Sequence, residues 1–146
     1  MAAMTNYLEN KLTDWYWRGQ AFTPPATHYF ALFTAAPSDA GGGTEVSGGS
    51  YARVGVSSSL ANFAGTQATG STTVSSGTGG TTSNNNAITF PAPTANWGSV
   101  THVAIFDAST GGNMLWWGAL QTAKNVNNGD AAPSFAAASF SAQMDD

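Results

Sequence analysis

The sequence has 146 residues, of which 42% are hydrophobic and only 8% are charged, and eight Asp and Glu outnumber four Lys and Arg. This length and apolar content predict one folded domain that spans 1–146 and buries a core of its own. The net charge of −4 argues against the basic surface that nucleic-acid binding requires. Zero cysteines exclude disulfides, thiolate nucleophiles and zinc–cysteine sites.

A membrane partner is also disfavoured. No apolar run approaches the ~20 residues that span a bilayer. The opening residues, MAAMTNYLENK, lack the basic and then apolar order of a secretory signal. We therefore expect a protein that is made in the cytosol and acts without a membrane.

The first predicted element is an amphipathic helix within residues 1–19. Its apolar positions recur at the spacing that lines one helical face: Leu8, Leu12, Trp15 and Tyr16. Asn6 is the predicted N-cap, with Glu9 three residues later as in a capping box, and Gly19 is suited to ending the helix. The usual role of such a helix is to cover one face of its own sheet.

The alternative role for this helix is contact with a partner. Trp15, Tyr16 and Trp17 are consecutive, so their side chains point about 100° apart and cannot all enter one small core. Trp and Tyr are also enriched at protein interfaces. These three residues are therefore candidates for binding a partner.

Short strands are predicted after the helix. Residues 27–56 contain the first of them, THYFALFT and SYARVGV, separated by a Gly-rich loop. Residues 57–85 are rich in Ser, Thr, Gly, Ala and Asn, which predicts either a flexible arm or loop or a pair of weak Thr-rich strands ordered against a neighbour. Residues 86–146 carry the remaining strands: NAITFP, WGSVTHVAIFD, NMLWWGAL and a last one through Phe135, Phe140 and Met144. About six or seven short strands behind one N-terminal α-helix predict a mainly β fold, an antiparallel, jelly-roll-like β-sandwich.

The most strongly patterned segment is THVAIFDASTGGNMLWWGAL, residues 101–120, which predicts a β-hairpin. His102 and Asp107 are five residues apart and fall on opposite faces of one strand, where Asp107 cannot orient His102 for catalysis. The sequence also contains no nucleophile elbow, phosphate-binding loop or dinucleotide fingerprint. We therefore predict no catalytic residues and no enzymatic activity.

Metal and cofactor sites are not predicted either. Asp107, Ser109 and Asn113 offer oxygens a little like the start of a calcium loop, but the later bidentate Glu is missing and a β-turn demands the same residue types. The two histidines, His28 and His102, fall on separate predicted strands.

Trp116 and Trp117 are further candidates for partner binding. Adjacent strand residues face opposite ways, so one of the two indoles is expected on the outer face of the sheet. There it can stack on a sugar ring or fill a partner's pocket, unless a second sheet or the helix covers it.

Three stretches carry a family resemblance in this order: TNYLENKLTDWYWRGQAFTPPATHYFALFTAAPSDAGGGTEVSGGSYARV, NAITFPAPTANWGSVTHVAIFDASTGGNMLWWGAL and KNVNNGD. Together they resemble a family of small structural proteins of tailed bacteriophages, often described as tail fibre or minor virion proteins. The resemblance implies a virion protein made in the cytoplasm of the bacterial host, with no catalytic residues to carry over. Residues 57–85 look longer and more repetitive than the family pattern.

Three places in the virion are open to such a protein. The first is a capsid decoration or cement protein that forms homo-oligomers, most simply trimers, and clamps the major capsid protein through apolar and hydrogen-bonding contacts. The second is a tail-fibre or baseplate component attached to other tail proteins. The third is a carbohydrate-binding module that uses its exposed Trp residues. We expect the first, because a compact domain without heptads or a repetitive shaft is easier to place on a shell.

Overall fold

The computed structural model describes residues 2–144, which form one α-helix and ten β-strands. The elements in chain order are β1 (Ala3–Met4), α1 (Asn6–Arg18), β2 (Thr27–Ala35), β3 (Thr44–Glu45), β4 (Val54–Ser57), β5 (Thr81–Ser83), β6 (Ile88–Thr89), β7 (Gly98–Phe106), β8 (Met114–Val126), β9 (Ser134–Phe135) and β10 (Ser141–Gln143). The fold is mainly β and antiparallel with one N-terminal helix, as predicted. The strand count exceeds the expected six or seven because several pairings are only two or three residues long.

The main sheet has six strands in the order β1-β8-β7-β2-β3, and β4 also pairs with β2. The three long strands β2, β7 and β8 form its centre, where Val, Ile, Phe and Trp residues suit a pleated, buried surface. Two further pairs, β5 with β10 and β6 with β9, are small separate sheets. The last predicted strand is thus two strands, since the chain leaves β9 at Phe135 and pairs again at Ser141.

The two faces of the main sheet carry different cores. Residues from the two small sheets pack on one face and close a large core, which gives the sandwich arrangement. Its buried members include Phe30, Leu32, Ile88, Phe90, Val103, Ile105, Phe140 and Ala142. The opposite face holds a smaller cluster of Ala31, Phe33, Ala104, Phe106 and Met114. Alternation along β7 therefore separates Val103 and Ile105 from Ala104 and Phe106, as the hairpin pattern predicts.

One irregularity in β7 enlarges the main core. The register with β8 shifts between Val100 and His102. As a result Val100 and Val103, three residues apart, both belong to the large core. In a regular strand they would point to opposite faces.

The turn between β7 and β8 is stabilised by the Asp107 carboxylate. It accepts hydrogen bonds from the backbone N–H of Asn113 at 2.7 Å and from the Asn113 side-chain amide at 2.8 Å. Gly112 has φ of 74°, and a Cβ atom there would collide with Asp107. The Asp, Gly and Asn residues of this segment thus serve the turn.

The segment from 58 to 80 is a compact loop, and only Thr81–Ser83 at its end forms a strand. Gln67 lies at its centre and its amide nitrogen donates to the hydroxyls of Ser71 and Thr73, at 2.6 Å and 2.8 Å. Asn85 donates to the carbonyl oxygens of Leu60 and Ser71. Side-chain amides thus satisfy loop backbone that no strand partner reaches.

Candidate interaction surface

Helix α1 is attached to the sheet at its N-terminal end. Thr5 is buried and is the N-cap, with its hydroxyl oxygen 3.5 Å from the backbone nitrogen of Leu8. The same hydroxyl donates to the carbonyl oxygen of Met114 at 2.6 Å, and the Thr5 N–H donates to Leu115 at 3.0 Å. The predicted cap, Asn6, is therefore wrong by one residue, because tertiary contacts of Thr5 with β8 place the start of the helix.

The remainder of α1 leaves the sheet. Leu8 is its buried residue and Leu12 is half-buried, whereas Trp15, Tyr16 and Trp17 are 52%, 69% and 78% exposed. Gly19 ends the helix in the left-handed conformation at φ 67°, as predicted. The helix therefore does not lie across a sheet face as a cover. We call Trp15, Tyr16 and Trp17 the aromatic end of α1.

Trp116 and Trp117 point to opposite faces of β8 and are both half-buried. Trp117 belongs to the smaller core, and its indole N–H donates to the carboxylate of Asp39 at 2.8 Å. Asp39 also accepts, through its carbonyl oxygen, from the N–H of Asn6 at the start of α1. Trp117 thus helps to fix the root of the helix, and the structure does not bring it together with the aromatic end.

The histidine and aspartate of the hairpin serve separate structural purposes. The His102 ring lies 6.1 Å from Trp117 between ring centroids, and its Nδ1 is 2.8 Å from the Thr101 hydroxyl. The Asp107 carboxylate is occupied by Asn113 in the turn. Among residues 2–144, no group of three His, Cys, Asp or Glu side chains is placed to hold a metal ion.

An apolar pocket of ≈ 480 Å³ opens beside the loop that follows β4. Its wall includes His28, Leu60, Phe63, Trp116, Phe140 and Met144. The lining residues in the described part of the chain include no Asp, Glu, Lys or Arg. Leu60 is 50% exposed and Met144 is 60% exposed at this site. We call this site the apolar pocket.

His28 is the one ionisable side chain in that described wall. Its Nδ1 lies 3.0 Å from the Ser58 hydroxyl, and its ring meets Phe63 edge-on at 5.5 Å. Burial lowers the pKa of His28 below its usual range, because the charged imidazolium loses water. The pocket is therefore lined by neutral groups at neutral pH.

Sequence patterns do not predict this pocket, although Leu60 and Phe63 are apolar residues in an otherwise polar run. The wall is assembled from segments near residues 28, 60, 80, 105, 116 and 142. Two apolar residues in a Ser-rich stretch were the available signal. Their partners come from distant strands and leave no local pattern.

The aromatic end of α1 and the apolar pocket are contact surfaces on a small β-sandwich. Comparison with known protein families identifies the family of the chain. A family model described as podophage GP4 fiber I protein gp80 matches residues 3–143. The chain belongs to this fibre family. A search of curated proteins finds no match.

Membership of the fibre family makes the chain a bacteriophage structural protein located in the virion. The resemblance to tailed-bacteriophage structural proteins is thereby confirmed. The preference for a capsid decoration or cement protein gains no support, and the tail-fibre alternative fits the family description better. The lack of a repetitive shaft in this sequence favours a capsid location only if every protein of a tail fibre must itself contain the shaft.

The described chain contains no helix long and apolar enough to cross a membrane.

In this member of the fibre family, the exposed aromatic end of α1 and the apolar pocket are the surfaces with the clearest capacity for contact. Another concave region lies near Arg53, but the guanidinium of Arg53 is already bound by Glu45 and two carbonyl groups.

Proposed function

We propose that this chain is a subunit of a fibre on the tail of a bacteriophage, that it has no enzymatic activity, and that it assembles with copies of itself and with other tail proteins. The family match over residues 3–143 carries the proposal. The composition adds a physical reason, since a domain with few charges assembles through apolar and hydrogen-bonding contacts.

The aromatic end of α1 supports a role in assembly. Three adjacent aromatic side chains lie largely in water, whereas large aromatic residues ordinarily bury most of their surface. Thr5 and Leu8 hold the helix root, so the helix presents these rings at a fixed place. Such an arrangement is costly for an isolated protein and suits one that meets a partner.

The test is the number and place of copies in purified virions. Quantitative mass spectrometry gives the ratio of this chain to the major capsid protein, and gold-labelled antibodies locate it in electron micrographs. A few to a few tens of copies, with gold at the tail, support the proposal. A ratio of icosahedral order with gold over the shell would make the chain a decoration protein and end the tail-fibre proposal.

A further inference from the structure

Five of the six exposed large apolar side chains of the described chain fall into two places. Three form the aromatic end of α1. Leu60 and Met144 belong to the apolar pocket, whereas the sixth, Val74, does not line it. The chain therefore carries one convex and one concave apolar surface, each lacking a cover within residues 2–144.

The two surfaces match in charge. The aromatic end lies between Asp14 and Arg18, whose side chains pair with each other at 2.8 Å. The described pocket wall contains no ionised side chain while His28 is neutral. Contact between the surfaces therefore removes water from aromatic and aliphatic groups without burying an unpaired charge, which would be costly.

The two surfaces also match in form. A pocket of ≈ 480 Å³ lies within the range of roughly 300–1,000 Å³ that holds small organic ligands. An aromatic side chain at a helix end is smaller than such ligands and is rigid, so little conformational entropy is lost when it is held. Phe63, Trp116 and Phe140 in the wall offer ring faces and edges for aromatic packing.

We propose that the aromatic end of α1 in one copy inserts into the apolar pocket of a second copy. The inference rests on the proposed function only in supposing that the chain assembles with itself. The root of the helix lies by Asp39, which binds Trp117 on the smaller-core face of β8, whereas the pocket opens on the opposite face, which carries Trp116. The contact therefore joins different surfaces of the two copies, and each copy has a free helix for one neighbour and a free pocket for another.

The size of the contact favours a closed ring of copies over an isolated pair. The exposed fractions of the three side chains correspond to about 400 Å², which is an upper limit because three consecutive helical side chains cannot all enter one pocket. A stable interface buries roughly 800 Å² per partner. One contact is therefore weak. Closing a ring engages both surfaces of every copy, so the ring forms cooperatively and an open dimer is sparsely populated.

Photo-crosslinking of the full chain tests the contact. A photoreactive benzoylphenylalanine replaces Tyr16, which keeps an aromatic group at the helix end, and cross-linked peptides are mapped by mass spectrometry. We expect intermolecular links from position 16 to residues 58–66 of a second copy. The same probe in place of Tyr7, half-buried at the attached end of α1, serves as the control and should give no such links.

Light scattering of two variants supplies the second measurement. Leu60→Glu places a charge at the pocket and should raise the concentration needed for assembly by about tenfold or more, as loss of a central apolar contact does. Thr110→Glu puts the same charge on the exposed hairpin turn and should leave assembly unchanged. Circular dichroism confirms that both variants fold.

The outcomes separate this inference from the proposed function. Links from position 16 to α1 of another copy, or a wild-type chain that stays monomeric at high concentration, would overturn the inference. Neither result changes the copy number or the place of the chain in the virion, which test the proposed function. Conversely, the expected links in a chain located over the capsid shell would support the contact between copies and contradict the proposed role as a tail-fibre subunit.

Discussion

The Cζ atom of Arg53 lies 3.6 Å from the centre of the Phe106 ring. The same guanidinium donates to both carboxylate oxygens of Glu45 at 2.8 Å, and to the carbonyl oxygens of Ala108 and Gly111. Its side chain is only 8% exposed. Arg53 thus joins β3 and the turn after β7, which are far apart in sequence.

Arg53→Ala should lower the free energy of unfolding by about 2–3 kcal/mol, because it removes a cation–π contact and leaves a partly buried carboxylate without its partner. Arg53→Lys should recover only part of this loss, since an ammonium group cannot reproduce the bidentate geometry. Urea unfolding followed by Trp fluorescence measures both. Arg18→Ala, which removes the exposed Asp14 pair, is the control and should change the value by less than about 0.5 kcal/mol. Equal losses at the two arginines would contradict the role given to Arg53.

The structure places the N-cap of α1 at Thr5, whereas the sequence pattern places it at Asn6, and mutation distinguishes the two. Thr5→Ala removes the cap oxygen and the hydrogen bond to Met114, and should cost about 1–2 kcal/mol of stability. Thr5→Ser keeps the hydroxyl and should lose much less. Asn6→Ala should have little effect, although the capping-box pattern assigned the cap to Asn6. Thermal unfolding of the three variants checks this, and a larger loss at Asn6 than at Thr5 would restore the cap expected from the sequence.

Local patterns predict the helix, the long strands and the hairpin of this fold well. The helix ends at Arg18 with Gly19 as its cap, and β2 covers Thr27–Ala35, one residue beyond the pattern. These elements are long and periodic, so several residues report each one. The register shift in β7 and the two-residue strands are set by partners elsewhere in the chain, and no local pattern records them.

The candidate contact surfaces are likewise predictable from the sequence only where a local pattern reports them. The sequence predicts that at least one of Trp15, Tyr16 and Trp17 faces outward, because three consecutive helical residues cannot share one core face, and the structure exposes all three. Arg53 looked like an ordinary strand residue, since its partners Glu45 and Ala108 lie 8 and 55 residues away. The apolar pocket was hidden for the same reason. Interactions between distant segments require the fold before they can be seen.

Asn84 is a buried polar residue on which the small sheets depend. It is 1% exposed, and its amide nitrogen donates to the carbonyl oxygens of Asn86 and Ala136 at 2.8 Å. Its side-chain oxygen accepts from the N–H of Phe140 at 2.9 Å. Asn84→Ala should lower the free energy of unfolding by about 2–3 kcal/mol, because the buried N–H of Phe140 loses its acceptor and two partly buried carbonyl groups lose a donor. The exposed Asn128→Ala is the matched control in urea unfolding. A loss of unfolding free energy no larger than that of Asn128→Ala would show that water replaces the hydrogen bonds of the Asn84 amide.

His28 predicts how stability depends on pH. Burial lowers its pKa in the folded protein below the value of about 6.5 expected when unfolded. Between those two values the unfolded chain binds more protons, so the free energy of unfolding falls as the pH falls through this range. The contribution is fully present above pH ~6.5. Urea unfolding at several pH values should show a shallower dependence for His28→Gln than for wild type. A parallel dependence in both proteins would assign the effect to other groups.

Gln67 predicts a local effect in the loop from 58 to 80. Its amide holds Ser71, Thr73 and the N–H of Ser76 around one side chain. Gln67→Ala should release this part of the loop while the sheets keep their packing, because these hydrogen bonds stay within the loop. Hydrogen exchange should accelerate at residues 65–76 and remain unchanged in β7. Gln121→Ala, an exposed glutamine on β8, is the control. Faster exchange in β7 would mean that the loop supports the core, and unchanged exchange at 65–76 would mean that Gln67 does not organise it.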